Sequence, residues 1–151
     1  KCSSNANVRL GVLMALVGGG GAPNVSGSNP AGTGSTLNYI GDHVYGISGV
    51  VLVTNTETTL MEFTTSGDAY ILAQIQVLNG SGNNDDIQYK VYLNNEIVGS
   101  WYYTTASNIP EPSNPYALII PAGSKVKITG QNTQSSTGRE HTATITGEMY
   151  A

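Results

Sequence analysis

From Leu37 to the end of the chain, apolar and polar residues alternate in short runs that are separated by turn-forming residues. A period of two places successive side chains on opposite faces of a strand, so this alternation predicts strands with one buried face. The run 69–78 shows the pattern best. Its predicted inward residues are Ile71, Ala73, Ile75 and Val77, and its predicted outward residues include Gln74 and Gln76. The whole segment predicts eight strands and no helix, with the strands at 42–54, 58–65, 69–78, 87–93, 97–104, 116–120, 125–130 and 139–150.

Eight short strands at regular spacing are typical of a β-sandwich, and a few long connections among them favour a jelly roll. An immunoglobulin-like sandwich is the main alternative, although its Cys…Trp…Cys core is absent from a chain with one cysteine. A chain of 151 residues is long enough for one domain with a substantial core. We therefore expect a single eight-stranded, jelly-roll-like sandwich over residues 37–151.

Several local features follow from the same pattern. A bulge at Gly46 or Gly49 is expected to interrupt the long strand 42–54. Asn94 and Asn95 are expected to form a tight hairpin turn, since asparagine tolerates a positive φ. The apolar run 116–120 predicts a short buried strand.

Residues 1–36 differ from the rest of the chain. They contain an apolar run, 8–17, followed by four glycines and a Gly/Ser/Pro/Asn-rich tether that ends near residue 36. A stripe within the run favours a short amphipathic helix, although a strand is also open, and we expect the anchor to comprise Val8, Leu10, Leu13, Met14 and Val17. The run is half the length of a membrane span, and we expect it to belong to the mature protein rather than to a cleaved signal.

Composition excludes some partners and disfavours others. The net charge is −4, and six basic residues are spread thinly over the chain, so the basic stripe that nucleic-acid binding needs is absent. Cys2 is the only cysteine, which excludes an internal disulfide. We expect Cys2 to be a free thiol, with an intermolecular bridge or a lipid attachment as the alternatives.

The sequence offers no cluster of catalytic or metal-binding residues. Its two histidines, His43 and His141, each stand beside an acid at the start of a predicted strand, where a polar strand-end role is expected. The loop that includes Asn83, Asn84, Asp85 and Asp86 has oxygen ligands suited to calcium, but it lacks the EF-hand spacing and favours simple solvation. We expect a protein that is not an enzyme and that uses no cofactor or metal.

One aromatic cluster stands out on the strand 97–104. Trp101 and Tyr103 would share one face of the strand and Tyr102 the other, so at least one ring packs in the core. A ring left exposed could stack on a sugar or lie in a subunit interface. The chain has nine tyrosines and one phenylalanine, which also suits interfaces, because tyrosine is enriched there.

Four segments between Tyr39 and Ala151 are informative together, namely GDHVYGISGVV (41–51), EFTTSGDAYILAQIQV (62–77), PYALIIPAGSKVKITG (115–130) and ATITGEMYA (143–151). Through them, about three quarters of the chain resembles small β-rich virion proteins of tailed phages. This resemblance implies a jelly-roll domain that is displayed on a capsid or a fibre, commonly as a trimer, and it implies no catalytic residues.

These observations lead to two main hypotheses, and the least favoured third one is a hydrolase, which would need His43 or His141 in a cleft beside a nucleophile. The first is a structural virion protein at the capsid surface, a capsid decoration, vertex or head-fibre subunit. It would attach through residues 1–36 to other virion proteins and form homo-oligomers, with a trimer favoured. The second is a carbohydrate- or receptor-binding module for host attachment, whose partner would be a host surface glycan held by Trp101.

Overall fold

A computed structural model of the chain describes residues 37–79, 86–104 and 113–150. Within these ranges the chain forms β-strands and no helix. The described strands are β1 (Asn38–Ile40), β2 (His43–Ile47), β3 (Val51–Val53), β4 (Thr58–Thr64), β5 (Tyr70–Asn79), β6 (Asp86–Leu93), β7 (Glu96–Thr104), β8 (Tyr116–Ile120), β9 (Lys125–Asn132) and β10 (Arg139–Tyr150).

The strands form two antiparallel sheets. Sheet A has the order β1-β2-β10-β5-β8, with β3 also paired to β10, and sheet B has the order β4-β9-β6-β7. Because β2 and β3 follow one another along β10, they share one strand position, and β1 extends sheet A at its edge. The remaining order, four positions in each sheet with the chain crossing repeatedly between them, is that of a jelly roll, so the predicted fold class is confirmed.

The first predicted strand, 42–54, is interrupted as the glycine pattern indicated. Ile47 pairs with Thr144 and Val51 with His141, so four steps along this strand oppose three along β10, which is a bulge. Gly49 lies in it with a φ of 71°, a conformation that glycine adopts without strain. The Ser48 Oγ accepts a hydrogen bond of 2.8 Å from the Ala143 amide and so takes the place of a ladder carbonyl.

The described strands number ten rather than eight for two reasons. The bulge divides the predicted strand 42–54 into β2 and β3, and a short strand, β1, precedes it. β1 pairs with β2 through a turn at Gly41, whose φ is 59°. A strand of three residues is too short to show a period of two, which is why the alternation did not predict it.

The core lies between the inner faces of the two sheets. Sheet A contributes Ile75 and Ile145 and sheet B contributes Val91 and Ile128, all without exposed surface. Each such side chain stabilises the fold by roughly 1.5–3 kcal/mol, so this layer holds the two sheets together. The predicted inward positions of β5, at Ile71, Ala73, Ile75 and Val77, are all buried.

The predicted turn at Asn94–Asn95 is also confirmed, and it is tied to the neighbouring strand. The two residues have φ values of 51° and 72°, which suit a two-residue hairpin between β6 and β7. The Asn94 amide donates to the Lys125 carbonyl at 2.8 Å, and its side-chain oxygen accepts from the Lys125 amide at 2.8 Å. The turn is thereby fixed against β9.

The prediction of a buried strand at 116–120 is wrong. Among the described strands, this one, β8, lies at the edge of sheet A and pairs only with β5. Ile120 is buried, but Ile119 is 62% exposed. Its apolar composition suggested cover on both faces, whereas the described residues cover only the inner one.

Candidate interaction surface

The outer face of sheet A carries apolar side chains where a solvent-facing strand usually carries polar ones. On β5, Tyr70, Leu72 and Leu78 point outward and are each about 40% exposed, beside the predicted outward residues Gln74 and Gln76. Neighbouring strands add further exposed apolar side chains to this face, namely Ile40, Tyr45, Ile47, Ile119 and Tyr150.

The strand register aligns these side chains in rows that cross the sheet. One row consists of Ile119, Leu72, Glu148, His43 and Ile40. The next row consists of Ala117, Gln74, Thr146, Tyr45 and Asn38. Each row crosses five strands, a distance of about 20 Å at the usual spacing of neighbouring strands.

Two adjoining depressions lie along these rows, with volumes of about 580 Å³ and 320 Å³. They share Leu72 and Gln74, so we treat them as one feature, the sheet A groove. Among the described residues that line it there is one carboxylate, Glu148, and no lysine or arginine. The groove is therefore mainly apolar, with a single negative charge on its middle strand, β10.

The aromatic pair Tyr70–Tyr150 closes one end of this face. Their rings are stacked, with centroids 5.3 Å apart. The Tyr150 hydroxyl donates a hydrogen bond of 2.7 Å to the Glu148 carboxylate, and this bond is the main cause that raises the pKa of Tyr150. The bond holds the Glu148 carboxylate next to the groove.

The outer face of sheet B has a different chemistry, which centres on Glu57 in the loop between β3 and β4. Its carboxylate accepts hydrogen bonds from the Tyr92 hydroxyl at 2.6 Å and the Thr129 hydroxyl at 2.8 Å. It also forms an ion pair of 2.9 Å with Lys90. The Lys127 ammonium lies 4.3 Å from the centroid of the Tyr92 ring, a cation–π distance.

These contacts stabilise the charged form of Glu57. The hydrogen bond from Tyr92 is the largest cause, and with Lys90 and Thr129 it lowers the pKa of Glu57 to about 2, against the opposing effect of partial burial. The same contact with Glu57 is the main cause that raises the pKa of Lys90 and of Tyr92. Burial of this cluster in an interface would be unfavourable, because its charges would lose their contact with water.

The structure separates the three predicted aromatic residues. Trp101 and Tyr103 are half-buried against the core, whereas Tyr102 is 64% exposed on the outer face of sheet B. The Trp101 ring stacks on Tyr116 of sheet A, with centroids 5.3 Å apart, and lies 5.8 Å from Tyr89. Trp101 therefore bridges the two sheets, and Tyr102 is the ring of the three that a ligand can reach most freely.

The two histidines differ from one another. His43 is exposed at the start of β2, as predicted. His141 is fully buried, so the prediction of a polar strand-end residue is wrong for it. Its Nδ1 lies 2.8 Å from the hydroxyl of Tyr89, which comes from the opposite sheet, and burial lowers the pKa of His141 to about 4. We interpret His141 as a neutral core residue.

Several predicted features lie outside the described residues. They are the anchor residues of the run 8–17, Cys2, and positions 83–85 of the acidic loop. The described residues contain no group of three or more His, Cys, Asp or Glu side chains arranged to hold a metal ion. None of the described segments forms a helix with the length and hydropathy that a membrane crossing needs.

No protein family and no curated protein matches the chain, but solved structures do. A chain of the infectious bursal disease virus particle is 10% identical with a TM-score of 0.44, over 75% of this chain and 33% of that chain. The family 35 carbohydrate-binding module from Clostridium thermocellum is 16% identical with a TM-score of 0.38, over 78% of this chain and 82% of that chain. The chain thus spans about a third of the viral chain it matches. At these identities and TM-scores, the function of neither protein is transferred to this chain.

The apolar outer face of sheet A was missed by the sequence interpretation, although a signal was present. Tyr70, Leu72 and Leu78 have the same parity as the outward glutamines Gln74 and Gln76, so an apolar outer face can be derived from the alternation itself. The Glu57 cluster has no such signal, because its partners lie 33, 35 and 72 residues away along the chain.

The Glu57 cluster predicts a pH dependence of stability. Because the pKa of Glu57 is lowered from 4.5 to about 2 on folding, its contribution is fully present above about pH 4.5 and is lost as the pH falls toward 2. In Glu57→Gln we expect the free energy of unfolding to fall by about 1 kcal/mol at neutral pH after solvent screening, and to approach that of the wild type near pH 2. Urea titrations across this pH range measure both values.

The control for this prediction is Glu62→Gln. Glu62 forms a single ion pair with Lys125 at 2.7 Å, with both side chains at least 40% exposed. Its loss is expected to cost a few tenths of a kcal/mol at neutral pH. A Glu57→Gln variant that is as stable as Glu62→Gln at pH 7 would contradict the role of the cluster.

Proposed function

We propose that this protein is a structural subunit of a virion, and that it assembles with other copies of itself through the outer face of sheet A while the outer face of sheet B is displayed. The observation that carries the proposal is the set of exposed apolar side chains on the outer face of sheet A. Eight of them, on five strands, are between 38% and 66% exposed, and large apolar patches on soluble proteins usually mark interaction sites.

The dimensions of this face suit a stable interface. Sheet A is five strands wide, about 20 Å, only where β1 and β8 are both paired, and the ten residues of β5 extend about 33 Å, so the face covers less than about 650 Å² in projection. Specific protein interfaces bury about 800 Å² of accessible surface on each partner, and accessible surface exceeds projected area because side chains project from a pleated sheet. The face is therefore comparable in size with the smaller specific interfaces.

The chemistry of the two outer faces supports the same orientation. Sheet A presents Tyr45, Tyr70 and Tyr150, a residue type enriched at interfaces, and few charges that would have to be desolvated. Sheet B presents Lys90, which is paired with Glu57, and burial of such a pair is costly. Sheet A is thus the face suited to contact, and sheet B the face suited to solvent.

The resemblance of residues 39–151 to phage virion proteins agrees with this proposal. It favours a homotrimer at the capsid surface, as a decoration, vertex or head-fibre subunit, with other virion proteins as further partners. Cyclic symmetry is also the usual outcome when a single chain associates with itself.

Charge introduced on sheet A tests the proposal. In Ile119→Lys, on edge strand β8, an ammonium replaces a side chain that is 62% exposed. We expect the dissociation constant of the oligomer to rise at least tenfold, because the charge must lose its water when copies associate. Light scattering of the intact chain over a range of concentrations measures the mass.

The matched control is Ile97→Lys, on edge strand β7 of sheet B, where the side chain is 54% exposed. It introduces the same charge on the opposite sheet and should leave the mass unchanged. Leu72→Lys, at the centre of the groove, provides a second test of the same face. A wild-type chain that stays monomeric, or Ile119→Lys and Leu72→Lys variants that associate like the wild type, would overturn the proposal.

A second candidate function, glycan binding, is favoured by the position of Tyr102. Its exposed ring lies in a row with Gln88 and Gln131 on the outer face of sheet B. An aromatic ring can stack on a sugar while amide side chains bond its hydroxyls. This residue replaces Trp101 as the ring to test, since removal of Trp101 would disturb the packing between the sheets.

A glycan array with Tyr102→Ala and Tyr102→Phe tests this candidate. If the ring stacks on a sugar, we expect Tyr102→Ala to lose binding at least tenfold and Tyr102→Phe to keep it, with the stability of both near that of the wild type. An array on which the wild-type chain binds no glycan would reject the candidate and leave the assembly proposal unaffected.

A further inference from the structure

We propose that the sheet A groove receives the apolar run 8–17 of a neighbouring copy, so that subunits are joined by exchanged arms. This inference rests on the assembly function proposed above and identifies the part of the neighbouring chain that is bound. Docking of the run on its own chain is the alternative that the cross-linking below distinguishes.

The first argument is the fit between the run and the groove. The groove crosses five strands, or about 20 Å, between Ile40 at one edge of sheet A and Ile119 at the other. A ten-residue helix is about 15 Å long, which the groove can accept along its full length. A helix in an apolar groove is a recurrent mode of recognition, in which side chains at i, i+3, i+4 and i+7 make the contacts. Such a stripe is present at Leu10, Leu13, Met14 and Val17.

The second argument is charge complementarity. Residues 1–36 contain two cationic side chains, Lys1 and Arg9, and no aspartate or glutamate. The described lining of the groove contains Glu148 and no cation, and the exposed Asp42 directly precedes the lining residue His43. Arg9 lies within the apolar run, so a run seated in the groove brings this guanidinium near the carboxylate of Glu148. Opposite charges placed in this way fix the register of a bound segment.

The third argument is the place where the arm joins the domain. Asn38 pairs with Tyr45 and Ile40 with His43, so the described chain begins at the Tyr45 row, beside the groove. Residues 18–36 are rich in glycine and serine, and a random-coil chain of that length spans about 25 Å. That span reaches the groove of the same chain or of a copy packed against this face, and the cross-linking below distinguishes the two. In a closed ring every arm then fills one groove and every groove receives one arm.

Disulfide trapping tests the exchange in the full-length chain. One variant carries Cys2→Ser with Met14→Cys, and a second carries Cys2→Ser with Gln74→Cys at the centre of the groove. When the two are mixed and mildly oxidised, we expect a covalent heterodimer. The control replaces Gln74→Cys by Thr64→Cys, which puts an exposed thiol on sheet B, and it should form at least tenfold less heterodimer.

A third variant distinguishes docking of the arm on a neighbouring copy from docking on its own chain. It carries Cys2→Ser, Met14→Cys and Gln74→Cys together. Exchange predicts disulfide-linked oligomers on a non-reducing gel. A product that is only an internally cross-linked monomer would show that the run docks on its own chain and would overturn the proposal. Equal cross-linking to positions 74 and 64, or none to either, would overturn it as well.

Charge reversal gives an independent measurement. Arg9→Glu or Glu148→Arg alone should slow the cross-linking roughly fivefold, as expected for an exposed ion pair, and the two together should restore it. Slowing without restoration would contradict the proposed register. Failure of the inference differs from failure of the assembly function. If the wild-type chain is oligomeric by light scattering but the cysteine variants form no cross-link, the arm alone is refuted, whereas a monomeric wild-type chain refutes both.

Discussion

The packing of the two inner sheet faces against each other is the interaction on which the rest of this structure depends. It buries Ile75 and Ile145 of sheet A against Val91 and Ile128 of sheet B. Because successive side chains of a strand point to opposite faces, fixing the inner set also fixes the outer set, and a shift of one residue would exchange the two. The chemistry of both outer faces is therefore a direct consequence of the register that forms the core.

The two outer faces differ in a way that bears on function. Sheet A presents exposed aliphatic and tyrosine side chains on five strands, interspersed with a few polar ones, around a groove whose described lining holds one carboxylate. Sheet B presents Glu57 in a network with Lys90, Tyr92 and Thr129, which keeps its charges fixed and solvated. Covering the apolar side chains of sheet A is favourable, because they leave water. Covering the Glu57 network of sheet B is unfavourable, because its charges lose their hydration. This asymmetry supports an assembling subunit more strongly than it supports an isolated binding domain.

Much of the fold could be predicted from the sequence, because alternation and turn chemistry are local. The inward residues of β5, the bulge at Gly49 and the Asn94–Asn95 hairpin all follow from residues close together in the chain. The errors concern partners that are distant in sequence. His141 shares the inward parity of Ala143 and Ile145, but the hydroxyl that compensates its burial comes from Tyr89 of the other sheet, and β8 is half-exposed because it lies at an edge. The groove could be predicted only in part. The outward direction of its side chains follows from the alternation within each strand, but their alignment depends on which strands pair, and the alternation does not specify that.

The central claim is that the outer face of sheet A is covered when the protein assembles and that the outer face of sheet B is not. Hydroxyl-radical footprinting of tyrosines tests it most directly, since Tyr45, Tyr70 and Tyr150 report on sheet A and Tyr102 on sheet B. Between dilute and associated protein, we predict a several-fold loss of labelling at the three sheet A tyrosines and no change at Tyr102. Labelling that falls at Tyr102 while the three others stay unchanged would contradict the account.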